Sequence, residues 1–239
     1  MVTIHSESLF TSNTILRNVS LFFLKKSNFE VITVSKNLYS LLVSRNIKTF
    51  FLPAYVPPVE VSFMAIKKDE RIYFLYSVWK LSKKLSEEIY NIPLAFQFLK
   101  ENKKKYKMLF LIGNKDISDK EYLDNLISEY ELENDIEILF GKNLVDYVEN
   151  CTFLLKTNKV DGYGVALQEA MDLGVPAIAS DVCVRPKGTI LFNDNDIEDL
   201  TKKINHTMSS PVDSILKEKE ELKYHLELID IYKKLLNQN

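Results

Sequence analysis

The segment TFLLKTNKVDGYGVALQEAMDLG occupies residues 152–174 and decides the fold. A short apolar run comes first, a polar loop with two glycines follows, and a helix-length amphipathic stretch ends at Gly174. In an open α/β sheet, this order places the loop at the carboxyl end of a strand, where ligands bind. Gly162 and Gly164 let the backbone approach an anion at the positive end of the following helix.

The same alternation of short β-branched runs and helix-length segments extends along the chain, and it is typical of βαβ units. We therefore predict an α/β fold with a doubly wound parallel sheet. The predicted strands are 2–5, 30–35, 48–52, 71–76, 107–113, 136–140, 152–155, 177–180 and 189–192. The predicted helices are 9–26, 37–45, 92–102, 120–131, 145–150, 165–173, 197–208 and 212–236.

A proline-rich stretch at residues 53–58 predicts a domain boundary. It contains Pro53, Pro57 and Pro58, which lack the backbone donor that a helix interior or a central strand needs. We predict a partial N-terminal α/β domain over 1–57, a larger Rossmann-like domain over 58–211 and a C-terminal helical segment over 212–239. All six glycines lie between Gly113 and Gly188, so the ligand-facing loops belong to the larger domain.

Composition excludes several classes of protein. A net charge of −2 and a pI near 6.0 give no electrostatic footprint for nucleic acid. Cys151 and Cys183 lack metal-ligand spacing, so we expect no metal site, no cofactor and a reducing, cytoplasmic setting. No apolar run is long enough to span a bilayer, and we expect at most peripheral contact with the inner face of a membrane.

Two acids flank the predicted helix start. Asp161 lies in the loop, and Glu169 lies about one and a half turns into the helix. Carboxylates repel phosphates, but they accept hydrogen bonds from hydroxyl groups, and a sugar and a ribose supply hydroxyls on both sides of a diphosphate. The alternative is a surface βα unit in which the helix dipole favours the first acid and Glu169 faces solvent.

Residues 161–176, DGYGVALQEAMDLGVP, resemble the signature of the retaining glycosyltransferases of family 4, group 1 transferases with the GT-B fold. That signature is Glu-x7-Glu, and Asp161 stands at the first acid. The resemblance implies that 72–208 bind a nucleotide diphosphate sugar. It implies that Glu169 holds the ribose and that Asp161 contacts the transferred sugar. The other donor-binding residues that it implies are Gly162, Tyr163, Gly164, Val165 and, beside the nucleobase, Gly141.

Three further candidates come from the same resemblance. Many members carry an arginine and a lysine after the first strand of this domain. Here the arginine is absent, and Lys80, Lys83 or Lys84 is expected to substitute for it in part. Arg185 is either an anion ligand, since a guanidinium pairs two phosphate oxygens, or a surface arginine. His5 is either the family's acceptor-side catalytic histidine or a terminal histidine on a frayed strand.

The resemblance implies a retaining hexosyl transfer to a glycan or lipid-linked acceptor, in bacterial surface polysaccharide synthesis and without an obligatory metal. It also implies that the C-terminal helix packs back on the N-terminal part. Because residues 1–57 supply only part of an acceptor-side domain, a partner chain or homo-oligomer is expected to complete it. The alternative is a weak or inactive binding subunit that needs such a partner. A sugar-nucleotide epimerase is a third option, disfavoured because GxGxxG is absent.

Overall fold

A computed structural model of the chain describes residues 2–4, 14–26, 30–53, 55–58, 61, 63–114, 119–217 and 224–236. The chain divides into two compact units. One unit comprises Met1–Pro57 and Glu221–Asn239, and the other comprises Pro58–Glu220. The candidate site lies in the second unit.

The first unit contains a parallel sheet in the order β1-β2-β3. Its strands are β1 (Val2–Ile4), β2 (Val31–Thr33) and β3 (Thr49–Phe51), and its first helices are α1 (Thr14–Lys26) and α2 (Lys36–Ser44). The Ser35 hydroxyl accepts a hydrogen bond from the backbone N–H of Leu38 and so caps α2. Leu38 and Leu42 then pack on Val31, which fixes α2 against the sheet.

The second unit is built on a six-stranded parallel sheet in the order β6-β5-β4-β7-β8-β9. The strands are β4 (Ile72–Val78), β5 (Tyr106–Ile112), β6 (Ile136–Phe140), β7 (Phe153–Lys156), β8 (Ala177–Ser180) and β9 (Ile190–Phe192). The helices are α3 (Lys83–Leu85), which continues into a π-helical turn at Ser86–Tyr90, α4 (Ile92–Asn102), α5 (Lys120–Tyr130), α6 (Val165–Asp172), α7 (Ile197–Ser209) and α8 (Val212–Leu216).

Both faces of this sheet are covered, as a parallel sheet requires. Along β4, Phe74 and Tyr76 point into one apolar cluster with α4, α5 and α7. Tyr73 and Leu75 point into a second cluster on the opposite face, which includes Leu167 and other residues of α6. This alternation explains why the strands are nearly continuous apolar runs.

The predicted fold class, α/β with a doubly wound parallel sheet, is confirmed. Three segments differ from the sequence prediction. Residues 145–150 form two short 3-10 turns at Leu144–Asp146 and Val148–Asn150 rather than one helix. The helical segment at residues 83–90 was not predicted. The predicted helix 212–236 is divided into α8, in the second unit, and α9 (Tyr224–Leu236), which returns to the first unit.

In the first unit, Ile231 of α9 packs on Ile32 and Leu52. This contact joins the end of the chain to β2 and to the residue that follows β3. Among the described residues, no helix is both long and apolar enough to cross a membrane.

Candidate functional site

A cavity of about 550 Å³ lies at the carboxyl ends of the strands in the second unit. The strand order reverses between β4 and β7, and doubly wound folds bind ligands at such a reversal. The cavity wall includes Val78 at the end of β4, Gly113 after β5, Lys142 after β6 and Lys156 at the end of β7. The N-terminal part of α6 closes the remaining side.

The carboxylate of Asp161 lines this cavity and is held by cations on two sides. It accepts hydrogen bonds from the Arg185 guanidinium, from the Lys156 ammonium at 3.1 Å and from the backbone N–H of Gly162 at 2.9 Å. Burial alone would raise the pKa of Asp161, but the charges of Lys156 and Arg185 outweigh it and lower the pKa. Asp161 is therefore an ionised hydrogen-bond acceptor at neutral pH.

Arg185 is buried beneath the loop rather than exposed on the surface, with only 1% of its side chain accessible. Its Nε donates to the backbone carbonyl of Ser180 at 3.1 Å, and its Nη2 lies 3.3 Å from the Ser180 hydroxyl. Its Nη1 pairs with Asp161. Arg185 is not among the described residues that line the cavity, and its bonds join Asp161 to Ser180 at the end of β8.

Glu169 also lines the cavity, from the second turn of α6. Its side chain is half-buried, and burial raises the pKa of the carboxyl, with the charge of Lys156 only partly opposing that shift. The two acids therefore share one cavity but have opposite pKa shifts. The structure thus places Asp161 and Glu169 in the lining of one cavity, next to the start of α6.

The loop between β7 and α6 is joined to the π-helical turn at Ser86–Tyr90. The Thr157 hydroxyl donates to the carbonyl of Tyr90 at 2.9 Å and is 2.9 Å from the hydroxyl of buried Tyr76. The backbone N–H of Lys159 donates to the carbonyl of Ile89 at 2.8 Å. Ile89 and Tyr90 line the cavity, so these bonds hold one wall of the cavity in place. π-Helical turns occur often at functional sites.

Gly164 precedes the first residue of α6 and has a φ of 92°, a backbone conformation that disfavours other residues. A Cβ at this position would lie 2.7 Å from Leu167 Cδ1 and 3.1 Å from Arg185 Nη1. The positive φ therefore favours glycine, and a larger residue would also have to displace the side chains of Leu167 and Arg185. The first N–H groups of a helix point toward its N-terminal end, and in α6 the N–H of Leu167 donates to the carbonyl of Gly164 at 2.9 Å.

The remaining predicted site residues do not line the cavity. Lys80 and Lys83 are exposed on the segment after β4, and Tyr163 is buried. Four more predicted residues also lie outside the cavity lining: Gly141, Gly162, Gly164 and Val165. His5 lies outside the described residues. Within the described part of the chain, no group of His, Cys, Asp or Glu side chains could hold a metal ion.

Lys156 and Trp79 are two of the cavity residues that were not anticipated from the sequence. Lys156 ends a strand, and only the fold shows that its side chain reaches Asp161. Trp79, the single tryptophan, is 72% exposed at the cavity, and Gly113 leaves room for it because a Cβ there would lie 2.7 Å from the ring. A tryptophan directly after a buried strand was the signal that could have identified the second.

Comparison with known proteins gives the family. Residues 64–225 match the family "Glycosyl transferases group 1", and the chain belongs to this family. No curated protein matches the chain.

Solved structures give the fold. HepE from Anabaena, in complex with UDP and glucose, matches with a TM-score of 0.72 and 12% identity over 97% of this chain and 71% of HepE. Sucrose-phosphate synthase from Thermosynechococcus elongatus matches with a TM-score of 0.72 and 14% identity over 99% and 68%. The lipopolysaccharide outer core galactosyltransferase WaaB matches with a TM-score of 0.62 and 20% identity over 86% and 62%. The α/β fold is thus that of the GT-B glycosyltransferases.

Proposed function

We propose that this chain transfers a sugar from a nucleotide diphosphate sugar to a glycan or lipid-linked acceptor, with retention at the anomeric carbon. The observation that carries the proposal is the presence of Asp161 and Glu169 in one cavity at the β4–β7 reversal, beside the start of α6. Membership of the group 1 family supports the reaction class. The spacing of the two acids supports the proposal of a family 4 subtype.

The charges of the two acids support different roles. Asp161, ionised and already bonded to Lys156 and Arg185, accepts hydrogen bonds from hydroxyls of the transferred sugar. Glu169, farther along α6, accepts bonds from the ribose. Gly162, Tyr163, Gly164 and Val165 hold the loop between them, and Gly141 precedes the cavity residues that would contact the nucleobase.

Retention requires no protein base in this proposal. The bond between the anomeric carbon and the phosphate oxygen breaks, and its electron pair stays on the diphosphate. The acceptor oxygen bonds to the same face of the sugar, and its proton passes to the leaving phosphate. Asp161 does not act as the proton carrier, because its lowered pKa makes it a poor base at neutral pH.

Structural neighbours support the choice of substrate class. HepE is described in complex with UDP and glucose, and TarM of S. aureus in complex with UDP and alpha-GlcNAc-glycerol. WaaB is named as a lipopolysaccharide outer core galactosyltransferase. These names motivate a role for this chain in bacterial surface polysaccharide synthesis.

The proposal can be tested by fluorescence, because Trp79 lines the cavity and is the only tryptophan. Titration with UDP-, GDP- and ADP-sugars should change the emission for one base, and calorimetry should give the same dissociation constant. Trp79→Phe removes the optical signal and serves as its control. Absence of binding to every nucleotide sugar by calorimetry would contradict the proposal.

A second candidate is a binding subunit that needs a partner for activity. The observation in its favour is an exposed apolar face on α1, where Phe22 is 58% exposed and Phe23 is 66% exposed. Apolar surface of this kind marks protein contacts when it is contiguous. Turnover of a nucleotide sugar by the purified monomer would exclude this candidate.

A further inference from the structure

Lys156 is the last residue of β7, and its side chain forms part of the cavity wall. Only 17% of the side chain is accessible, so its charge acts in a less screened environment than that of a surface lysine. Its Nζ lies 3.1 Å from the carboxylate of Asp161. An ammonium group has three N–H donors, and this contact uses one of them.

The ion pair of Arg185 with Asp161 determines how much of the hydrogen-bonding capacity of Lys156 is left for a ligand. The guanidinium of Arg185 already pairs with Asp161 and bonds to Ser180, and Arg185 is not among the described residues that line the cavity. The negative charge of Asp161 is thereby matched without Lys156. The remaining N–H donors of Lys156 are available to an anion in the cavity, and its positive charge also acts on the carboxyl of Glu169.

The other lysines near the site are placed less favourably. Lys80 and Lys83, which the resemblance offered as diphosphate ligands, are exposed and lie outside the cavity lining. Among the described residues that line the cavity, Lys142 is the other cation, and its side chain is exposed. Lys156 is therefore the half-buried cation among the described lining residues, and it contacts Asp161.

We infer that Lys156 binds the diphosphate of the donor and stabilises the charge that develops on it when the sugar leaves. This inference rests on the proposed function, since it assigns the ligand class to that same cavity. A positioned cation at the developing charge is worth most where water is excluded. Lys156 would thus supply the charge expected from the absent arginine.

The test compares ligands that differ only in the phosphates. Whichever of UDP, GDP and ADP binds the wild-type protein most tightly is titrated beside its nucleoside, into wild type, Lys156→Gln and Lys202→Gln. Lys202 is an exposed lysine on α7 outside the cavity lining and serves as the matched control. In Lys156→Gln we expect affinity for the diphosphate to fall about 10-fold or more, with nucleoside affinity unchanged.

The outcomes separate the inference from the proposed function. Failure of wild type to bind any of the three diphosphates contradicts the proposed function itself. Equal losses for diphosphate and nucleoside in Lys156→Gln mean that Lys156 only supports Asp161, and no loss for either means that it contacts neither; both results overturn the inference.

A measurement on the wild-type protein avoids any folding defect of the variant. Lysines are reductively methylated, and the extent at each position is read by mass spectrometry with diphosphate, with nucleoside and without ligand. We expect the diphosphate, and not the nucleoside, to protect Lys156, while Lys202 is methylated equally in all samples. Equal methylation of Lys156 with and without bound diphosphate would overturn the inference.

Discussion

At the scale of single residues, the ion pair between Asp161 and Arg185 contributes to the stability of the fold and also holds a residue of the candidate site. Arg185 is nearly inaccessible to water, and a buried charge that loses its partner is strongly unfavourable. The pKa of Asp161 is lowered, because Lys156 and Arg185 outweigh the effect of burial. Its contribution to stability is therefore present above the pKa of the unfolded chain and is lost as pH falls through the folded pKa.

Asp161→Asn should lower the free energy of unfolding at pH 7 by about 3 kcal/mol, because Arg185 then stays buried without a counter-charge. Asp161→Glu keeps the charge and should lose less. Urea denaturation at pH 7 measures both. We expect the gap between wild type and Asp161→Asn to narrow in acid, and a gap that is absent at pH 7 would contradict the assignment.

Glu169 should show the opposite behaviour, because burial raises its pKa despite the nearby charge of Lys156. A raised pKa means that the ionised carboxyl destabilises the folded state at pH 7, and that the stabilising contribution is present below the unfolded pKa of about 4.3. Glu169→Gln should therefore unfold at higher urea concentration than wild type at pH 7, with little difference at pH 4.

The same Glu169→Gln protein should bind the nucleotide about 10-fold more weakly, since an amide is a poorer acceptor for the ribose hydroxyls. A variant that is more stable yet binds less well is expected where a buried charge serves function. Glu129→Gln, at an exposed position on α5, controls for the loss of one charge. Unchanged affinity in Glu169→Gln would contradict the ribose role.

At the scale of elements, the start of α6 depends on Gly164. Gly164→Ala should disturb Leu167 and Arg185 and lower both stability, by about 1–3 kcal/mol, and nucleotide affinity. Gly174 is a matched control at the other end of α6, because its φ is also positive, at 82°, but a Cβ there meets nothing within 4 Å. Gly174→Ala should lose stability and retain affinity. Calorimetry measures the nucleotide affinity of both variants. Equal affinities of Gly164→Ala and Gly174→Ala would contradict a role of Gly164 in shaping the site.

The elements also show how far the sequence could be interpreted. Strands β4 to β9 and helix α4 could be predicted from apolar runs and helical periodicity. These patterns are local, because they depend only on residues close together in the sequence. The turn at Ser86–Tyr90 could not be predicted in this way, because it is held by a hydrogen bond from Thr157, which is distant in the sequence, to the carbonyl of Tyr90. Asp161 and Glu169 belong to a sequence motif, and Trp79 directly follows a buried strand, whereas the place of Lys156 in the site follows only from the strand order.

At the scale of the whole molecule, every residue that lines the cavity belongs to the unit Pro58–Glu220. A ligand that binds only the folded state stabilises it by mass action, by about 2.7 kcal/mol at 100 times its dissociation constant. We expect nucleoside diphosphate to slow amide exchange chiefly at the carboxyl ends of β4, β5 and β7. Hydrogen exchange with mass spectrometry measures this, and protection confined to Met1–Pro57 would contradict the location of the site.

The bonds around the loop at residues 157–164 have a consequence for affinity. Thr157 joins it to Tyr90, Ser180 donates to the carbonyl of Asn158, and Asp161 is held by Arg185. The loop therefore loses its conformational entropy when the protein folds rather than when a ligand arrives. With a preorganised loop, the same contacts give tighter binding, because less entropy is lost when the ligand binds. The shape that recognises the ligand is then already present before binding.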